Sequence, residues 1–175
     1  MVQTVPVRAR LWAQKPSKLG GFCILRAHKK FNVIVNKQEK YDRAYLRMAI
    51  EWARLSHCKR KQVGALIVKN KMIISDGYNG TPSGFENCCE DRNGETKWHV
   101  LHAEANAILK TASSAHNCSG GTLYLTMSPC KDCSKLVYQA GITRLVYLNK
   151  YSDTTGIEFL KEAGVELVQF DKTKM

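Results

Sequence analysis

The chain has 175 residues, 44% of them hydrophobic. That length suits one domain with a buried core, and no apolar run is long enough to span a membrane. Its net charge of +12 points toward polyanions, but nine Lys/Arg and one acid fall in residues 1–40 (+8), against eighteen and fourteen in residues 41–175 (+4). The body is thus only mildly basic, which argues against a nucleic-acid surface there. Seven cysteines form no pattern of a disulfide framework, and no secretory signal is visible, so a reducing cytoplasm is the expected location.

Residues 1–40 have no clean period and are interrupted by Pro6, Pro16 and Gly20-Gly21. Three readings stay open for this stretch: a basic, disordered arm, a targeting peptide, or translation from a start upstream of the true one. Disorder or an over-extended start is favoured, with a short strand conceivable at Phe31–Val35. The domain proper is expected at 41–171. Ala44, Tyr45, Met48, Ala49, Trp52 and Leu55 recur at helical spacing and predict an amphipathic helix over Tyr41–Ser56. Val63–Val68 and Met72–Asp76 read as strands joined by a turn at Lys69-Asn70-Lys71. A long polar loop, Gly77–Trp98, follows; loops of that length in compact domains are usually functional or metal-clipped. Then come a helix after His102, a strand at Thr122–Met127, a helix after Cys130, a strand at Arg144–Leu148, a helix at Thr155–Ala163 and a strand at Val165–Phe170. This order predicts an α/β fold of three layers. A mixed five-stranded sheet, ordered 2-1-3-4-5, is flanked by helices, its later strands are parallel, and ligands bind at its carboxyl edge.

The chemistry concentrates in His102-Ala103-Glu104 and Pro129-Cys130-Lys131-Asp132-Cys133. One imidazole and two thiolates make three ligands for a catalytic zinc, leaving a fourth position for water. Glu104 stands two residues beyond His102, near enough to shuttle protons without binding metal. Cys130 and Cys133, at i and i+3, share a helix face. Both ligand groups open helices, whose dipoles favour thiolate and hydroxide. A C-x-x-C alone fits a structural zinc half-site or redox pair equally well. A purely structural site would require a fourth protein ligand and has no use for Glu104. The combined H-x-E…P-C-x-x-C pattern is the signature of zinc-dependent nucleobase deaminases.

Residues from about Tyr41 to Phe170 resemble deoxycytidylate (dCMP) deaminases of the cytidine-deaminase-like superfamily, including proteins of bacterial late-competence operons. The resemblance rests on Cys58–Gly64 (CKRKQVG), Ser75–Gly80 (SDGYNG), His102–Ile108 (HAEANAI), Ser128–Cys133 (SPCKDC) and Ala140–Ile142 (AGI). It implies zinc-dependent conversion of dCMP to dUMP and ammonia, which feeds thymidylate synthesis. His102, Cys130 and Cys133 are the implied metal ligands and Glu104 the implied proton shuttle. It further implies nucleotide contacts from Asn79 and Tyr151. For Asn79 a left-handed turn residue stays open as the alternative, and for Tyr151 an amphipathic loop aromatic. Lys150 and Arg144 are phosphate candidates by charge alone, with solvated surface the competing reading.

The resemblance also raises a second, structural zinc held by Cys58, Cys88, Cys89 and His99, with His57 adjacent; buried inert thiols are the alternative. Regulated relatives are hexamers activated by dCTP and inhibited by dTTP. Lys110 and Ser113 depart from the residues of those relatives, so regulation is not carried over, whereas homo-oligomerisation is expected. Neither a membrane nor a nucleic acid is an expected partner. The competing activity is that of a tRNA adenosine deaminase, which shares the zinc core but must bind phosphates around a flipped base. A zinc-stabilised binding module is the non-enzymatic reading, and the intact Glu104 argues against it.

Overall fold

The computed structural model describes residues 22–175 and, within its first helix, side chains from Lys37 onward. A compact unit spans Lys37–Met175. The element order is α1 (Phe22–Ala53), β1 (Gly64–Lys69), β2 (Met72–Tyr78), α2 (Ala103–Ala112), β3 (Thr122–Met127), α3 (Lys131–Gln139), β4 (Arg144–Asn149), α4 (Thr155–Glu162) and β5 (Glu166–Gln169), closed by a short 3-10 turn at Lys172–Lys174. Helix α1 begins well before the expected Tyr41 and takes in Phe31–Val35, so no strand forms there. No glycine or proline interrupts residues 22–63, and the backbone continues in helix despite the β-branched Val33-Ile34-Val35. Residues 1–21 of the expected N-terminal extension lie outside the described residues.

The five strands run in the order β2-β1-β3-β4-β5, as expected, with antiparallel pairing at β2–β1 and β1–β3 and parallel pairing at β3–β4 and β4–β5. Alternation along each strand divides the core between the two faces. Ala65, Ile67, Leu123, Leu125, Leu145 and Tyr147 pack with Ala103, Ala107, Val137 and Leu160 of α2, α3 and α4. Leu66, Val68, Tyr124, Val146 and Leu148 pack with Leu46 and Ala49 of α1. Because both faces are covered, the inner strands read as unbroken apolar runs. Asn70 and Lys71, at φ of 52° and 64°, form the tight turn between β1 and β2 with the handedness that hairpins favour. Two glycines set the layer spacing: a Cβ at Gly64 would meet the backbone of Ala49 and Ala53, and one at Gly77 the backbone of Ala103 and Ala107.

One buried ion pair joins α1 to the sheet. Arg144 donates to both carboxylate oxygens of Asp42, at 2.9 and 2.8 Å, and from Nε to Glu166 at 2.9 Å. Tyr124 Oη and Gln38 Nε2 also donate to Asp42, at 2.8 and 2.9 Å. Burial by itself pushes the Asp42 carboxyl up, but the hydrogen bonds from Arg144, Tyr124 and Gln38 more than offset it and hold the group below its ordinary value. A pKa lowered by folding stabilises the folded state above the ordinary aspartate range, and the stabilisation is lost as pH falls through it. Asp42→Asn is therefore expected to cost about 3 kcal/mol near neutral pH, because Arg144 is left buried without its main partner. In urea unfolding the gap from wild type should narrow below about pH 4. An unchanged unfolding midpoint at neutral pH would remove the pair from the account of stability. The same contacts correct the sequence reading of Arg144: it is neither a phosphate ligand nor solvated surface, since its side chain is 15% exposed and fully engaged.

Candidate active site

The carboxyl ends of β2, β3 and β4 lie along one edge of the sheet, together with the amino end of β1, and all face one cleft. Two helices start at this edge. His102 caps the amino end of α2 and Cys130 that of α3, both with extended backbone, and Cys133 follows in the first turn of α3. Asn106 Nδ2 donates to the carbonyl of Tyr78 at 2.7 Å and Ser75 Oγ to that of Ala107 at 2.6 Å, which fastens α2 to β2 behind the site. Ser134 Oγ donates back to the Cys130 carbonyl at 2.9 Å, closing the first turn of α3.

His102 Nδ1 lies 3.5 Å from Cys130 Sγ and 3.4 Å from Cys133 Sγ, and the three donor atoms fall within 4.8 Å of one another. Zinc–nitrogen and zinc–sulfur bonds of about 2.0 and 2.3 Å at a tetrahedral angle require nitrogen–sulfur separations of about 3.5 Å. The donor set thus fits zinc in type and in spacing. Three ligands leave one position, and the cleft opens beside them. The three donors hold their protons unequally. Hydrogen bonds from Cys133 and His102 draw the Cys130 thiol down to about 4, and the thiolate in turn holds the His102 imidazole above its ordinary value. The second proton of the cysteine pair stays on Cys133, which is pushed up by its bond to Cys130 and by burial.

Glu104 sits in the first turn of α2, only 4% exposed, and lines the cleft beside the donors without being one of them. Burial pushes its carboxyl above the ordinary value. A carboxyl raised this way can take a proton and return it.

The remaining sequence-predicted residues divide. Asn79 and Tyr151 both line the cleft. Asn79 is not in the left-handed region, so the turn-residue alternative falls. Its side chain is bonded to main chain: Oδ1 accepts from Val63 N at 2.8 Å and Nδ2 donates to Lys61 O at 2.8 Å. Tyr151 is held through its main chain, whose N–H donates to Ser128 Oγ at 2.8 Å. Lys150 is exposed and does not line the cleft.

The four residues expected to hold a second zinc are not brought together. Cys58 and Cys89 are joined in a disulfide with their Cα atoms 5.1 Å apart. Cys88 Sγ turns to the Glu90 carbonyl at 3.3 Å. The His99 ring packs against those of Phe85 and Trp98, with centroids 5.6 and 5.4 Å away. Among the described residues His102, Cys130 and Cys133 are the one cluster of metal-ligating side chains. The disulfide does what a structural metal was expected to do, tying the long loop to the segment before β1.

Cys58–Gly64 counts among the motifs of the resemblance, but Arg60 and Lys61 take no role from the sequence. Glu90 Oε1 accepts from the main-chain N–H groups of Lys59 and Arg60, at 2.8 and 3.1 Å, and Arg60 pairs with Glu95 at 2.6 Å. Lys61 projects over the Tyr151 ring, 5.4 Å from its centroid, and has no carboxylate within ion-pair distance among the described residues. The signal was present: Lys59-Arg60-Lys61 is a basic run just ahead of a strand that begins at the catalytic edge.

Residues 39–149 match the cytidine and deoxycytidylate deaminase zinc-binding region. The deoxycytidylate deaminase of Enterobacteria phage T4 is 32% identical over 163 residues, covering 69% of this chain and 84% of that protein. That of Mus musculus is 36% identical over 143 residues, covering 72% and 77%. The crystal structure of the dCMP deaminase from cyanophage S-TIM5, in complex with dCMP and dUMP, superposes with a TM-score of 0.72 at 47% identity, over 73% of this chain and 95% of that one. With a matched region that contains all three metal donors and Glu104, this chain belongs to the cytidine and deoxycytidylate deaminase family of zinc-binding proteins.

Proposed function

We propose that this protein hydrolyses dCMP to dUMP and ammonia, supplying dUMP for thymidylate synthesis. The observation that carries the reading is the buried Glu104 carboxyl beside a three-donor zinc site that opens onto a cleft. Relatives and a structural neighbour named as deoxycytidylate deaminases support the choice of substrate. His102, Cys130 and Cys133 would hold the zinc. When bound, it lowers the pKa of water from ~15.7 toward ~7. Glu104 takes the proton of the attacking water, passes it to N3 of the cytosine ring as C4 is attacked, and delivers a proton to the departing amine. The balance is dCMP plus water to dUMP plus ammonia.

The 5′-phosphate requires a cation at the cleft mouth. Of the two basic side chains that line the cleft, Arg60 is bound to Glu95, so Lys61 is the free one. We assign the phosphate to Lys61, with Tyr151 beneath it as the platform on which the ammonium rests. A charge-assisted contact of this kind is worth about 1.5–3 kcal/mol, or roughly tenfold to a hundredfold. Lys61→Ala is therefore expected to raise the KM for dCMP by that factor and to leave kcat within about threefold, since phosphate binding serves ground and transition states alike. Steady-state kinetics decide it: an unchanged KM would take Lys61 out of the site.

A homo-oligomer belongs to the same proposal. Leu109 of α2, Leu136 and Tyr138 of α3 and Phe159 of α4 are exposed apolar side chains on the helical layer, and Tyr138 meets Phe159 edge to face. No helix among the described residues is long and apolar enough to cross a membrane. A cytoplasmic setting goes with turnover of dCMP, whereas the Cys58–Cys89 disulfide is unusual for a reducing compartment.

A further inference from the structure

Glycine is a poor helix former, yet Gly156 is the second residue of α4, buried, and its backbone is not in the left-handed region that favours glycine. The reason is what lies against it. A Cβ built on Gly156 would overlap Ser134 Oγ and would stand 2.7 Å from the Pro129 carbonyl oxygen and 2.9 Å from the Cys130 carbonyl carbon. Carbon atoms pack at about 3.5–4.0 Å, so the main chain of α4 fits there only without a side chain. All three atoms belong to the turn that carries Cys130 and Cys133 into the zinc site, and Ser134 Oγ closes that turn by donating to Cys130 O at 2.9 Å. From the other side the turn is held against the end of β4: Ser128 N–H donates to Asn149 O, and Ser128 Oγ receives the Tyr151 N–H, each at 2.8 Å. Helix α4 is itself pinned by Leu160, fully buried in the core, and by Phe159, whose ring meets Tyr138 of α3 edge to face. The donor turn is thus gripped between the end of β4 and the main chain of α4, which lies beyond the matched residues 39–149.

We infer that Gly156 is a positioning residue for the zinc site: by baring the main chain of α4 it sets where Pro129 and Cys130 stand, and so where Cys130 Sγ meets the metal. A methyl group at this position would have to push the Cys130 carbonyl carbon, 2.9 Å away, by about 0.6 Å to reach ordinary contact, whereas zinc–ligand distances hold within about 0.2 Å. With α4 pinned by Leu160 and Phe159, that displacement falls on the donor turn. The role rests on His102, Cys130 and Cys133 as the zinc donors and not on the identity of the substrate.

The test reads zinc affinity on the full-length, zinc-loaded protein by competition with a chelator that changes colour as it takes the metal. Exchange of zinc for Co(II) adds a spectroscopic signature, since the ligand-field bands of Co(II) report the geometry of its donors. Gly156→Ala is expected to weaken zinc binding about tenfold to a hundredfold and to shift the Co(II) bands, although alanine is the better helix former. Leu160→Val, which loosens α4 without adding an atom at the donor turn, is the comparison. It should lower the thermal midpoint while zinc affinity stays within about threefold of wild type and the Co(II) bands keep their place. If Gly156→Ala does not fold, the double variant Gly156→Ala with Ser134→Ala, which removes the atom that the new methyl overlaps, is measured against Ser134→Ala alone. The two main-chain contacts remain, so the double variant should bind zinc at least about tenfold more weakly. Zinc affinity within threefold of the reference protein overturns the role. So does an equal loss in Leu160→Val, which would make the effect one of general stability. Turnover does not enter these readouts: wild-type protein that binds zinc and leaves dCMP untouched would overturn the proposed function alone.

Discussion

Glu104→Gln is expected to lower kcat for dCMP by at least about 10³-fold while the protein stays folded and keeps its zinc. Proton transfer by a positioned side chain contributes about 10²–10⁴-fold, and here one carboxyl serves water, ring nitrogen and leaving amine in turn. Among the described residues no other acid is placed to replace it: Glu90, the other carboxylate lining the cleft, is occupied by the main-chain N–H groups of Lys59 and Arg60. Glutamine preserves the shape of a side chain that is only 4% exposed, so packing around α2 should hold. It removes the proton-accepting oxygen and with it the chemistry. KM should change little, since the loss falls on the transition state. Metal analysis, a thermal midpoint and kcat on one preparation decide the matter. A Glu104→Gln enzyme that retains zinc and turns over within tenfold of wild type would show that the proton passes elsewhere.

Removal of the metal is the second large effect. Cys133→Ser is expected to abolish zinc binding and to cut turnover by at least about 10³-fold, because a Lewis acid worth several kcal/mol is lost. Chelation of the wild type should do the same and added zinc should reverse it. Cys88→Ser serves as the control, for Cys88 lies outside the donor cluster and should retain both metal and activity. Metal uptake has a predictable sign with pH. Binding requires neutral His102 and the thiolate of Cys133, yet in the free site His102 is held above its ordinary value and Cys133 keeps its proton. Uptake therefore releases protons, and zinc affinity falls as pH falls. Zinc titrations at several pH values, with metal content read directly, check this independently of turnover. Full activity in a zinc-free preparation would overturn the assignment of the donors.

The chain made much of this legible. The five strands and their order follow from apolar runs and punctuating turns, because a sheet covered on both faces writes itself into the sequence as unbroken Val, Leu and Ile. His102, Glu104, Cys130 and Cys133 were legible because catalytic zinc chemistry needs those residue types at helix starts. Other features depend on partners far along the chain. Arg144 looks like any surface arginine until Asp42, 102 residues away, is found beneath it. Cys58 and Cys89 offer the same sulfurs to a metal or to each other, and only their approach across 31 residues decides between them. The family resemblance implies a nucleotide contact for Asn79, but its bonds to Lys61 and Val63 are invisible without the register that carries β1 past β2. The start of α1 was misplaced for a local reason. Val33-Ile34-Val35 carries strand propensity, and the helix runs through it.

The most direct measurement is absorbance-monitored deamination by the purified, zinc-loaded protein, with dCMP, deoxycytidine and dCTP side by side. The account predicts rapid turnover of dCMP to dUMP with ammonia released in equal amount. Deoxycytidine should be slower because it brings no phosphate to Lys61, and dCTP slower because it brings two phosphates more than one ammonium can match. Protein that carries zinc and leaves all three unchanged would contradict the central claim and turn attention to a polynucleotide substrate.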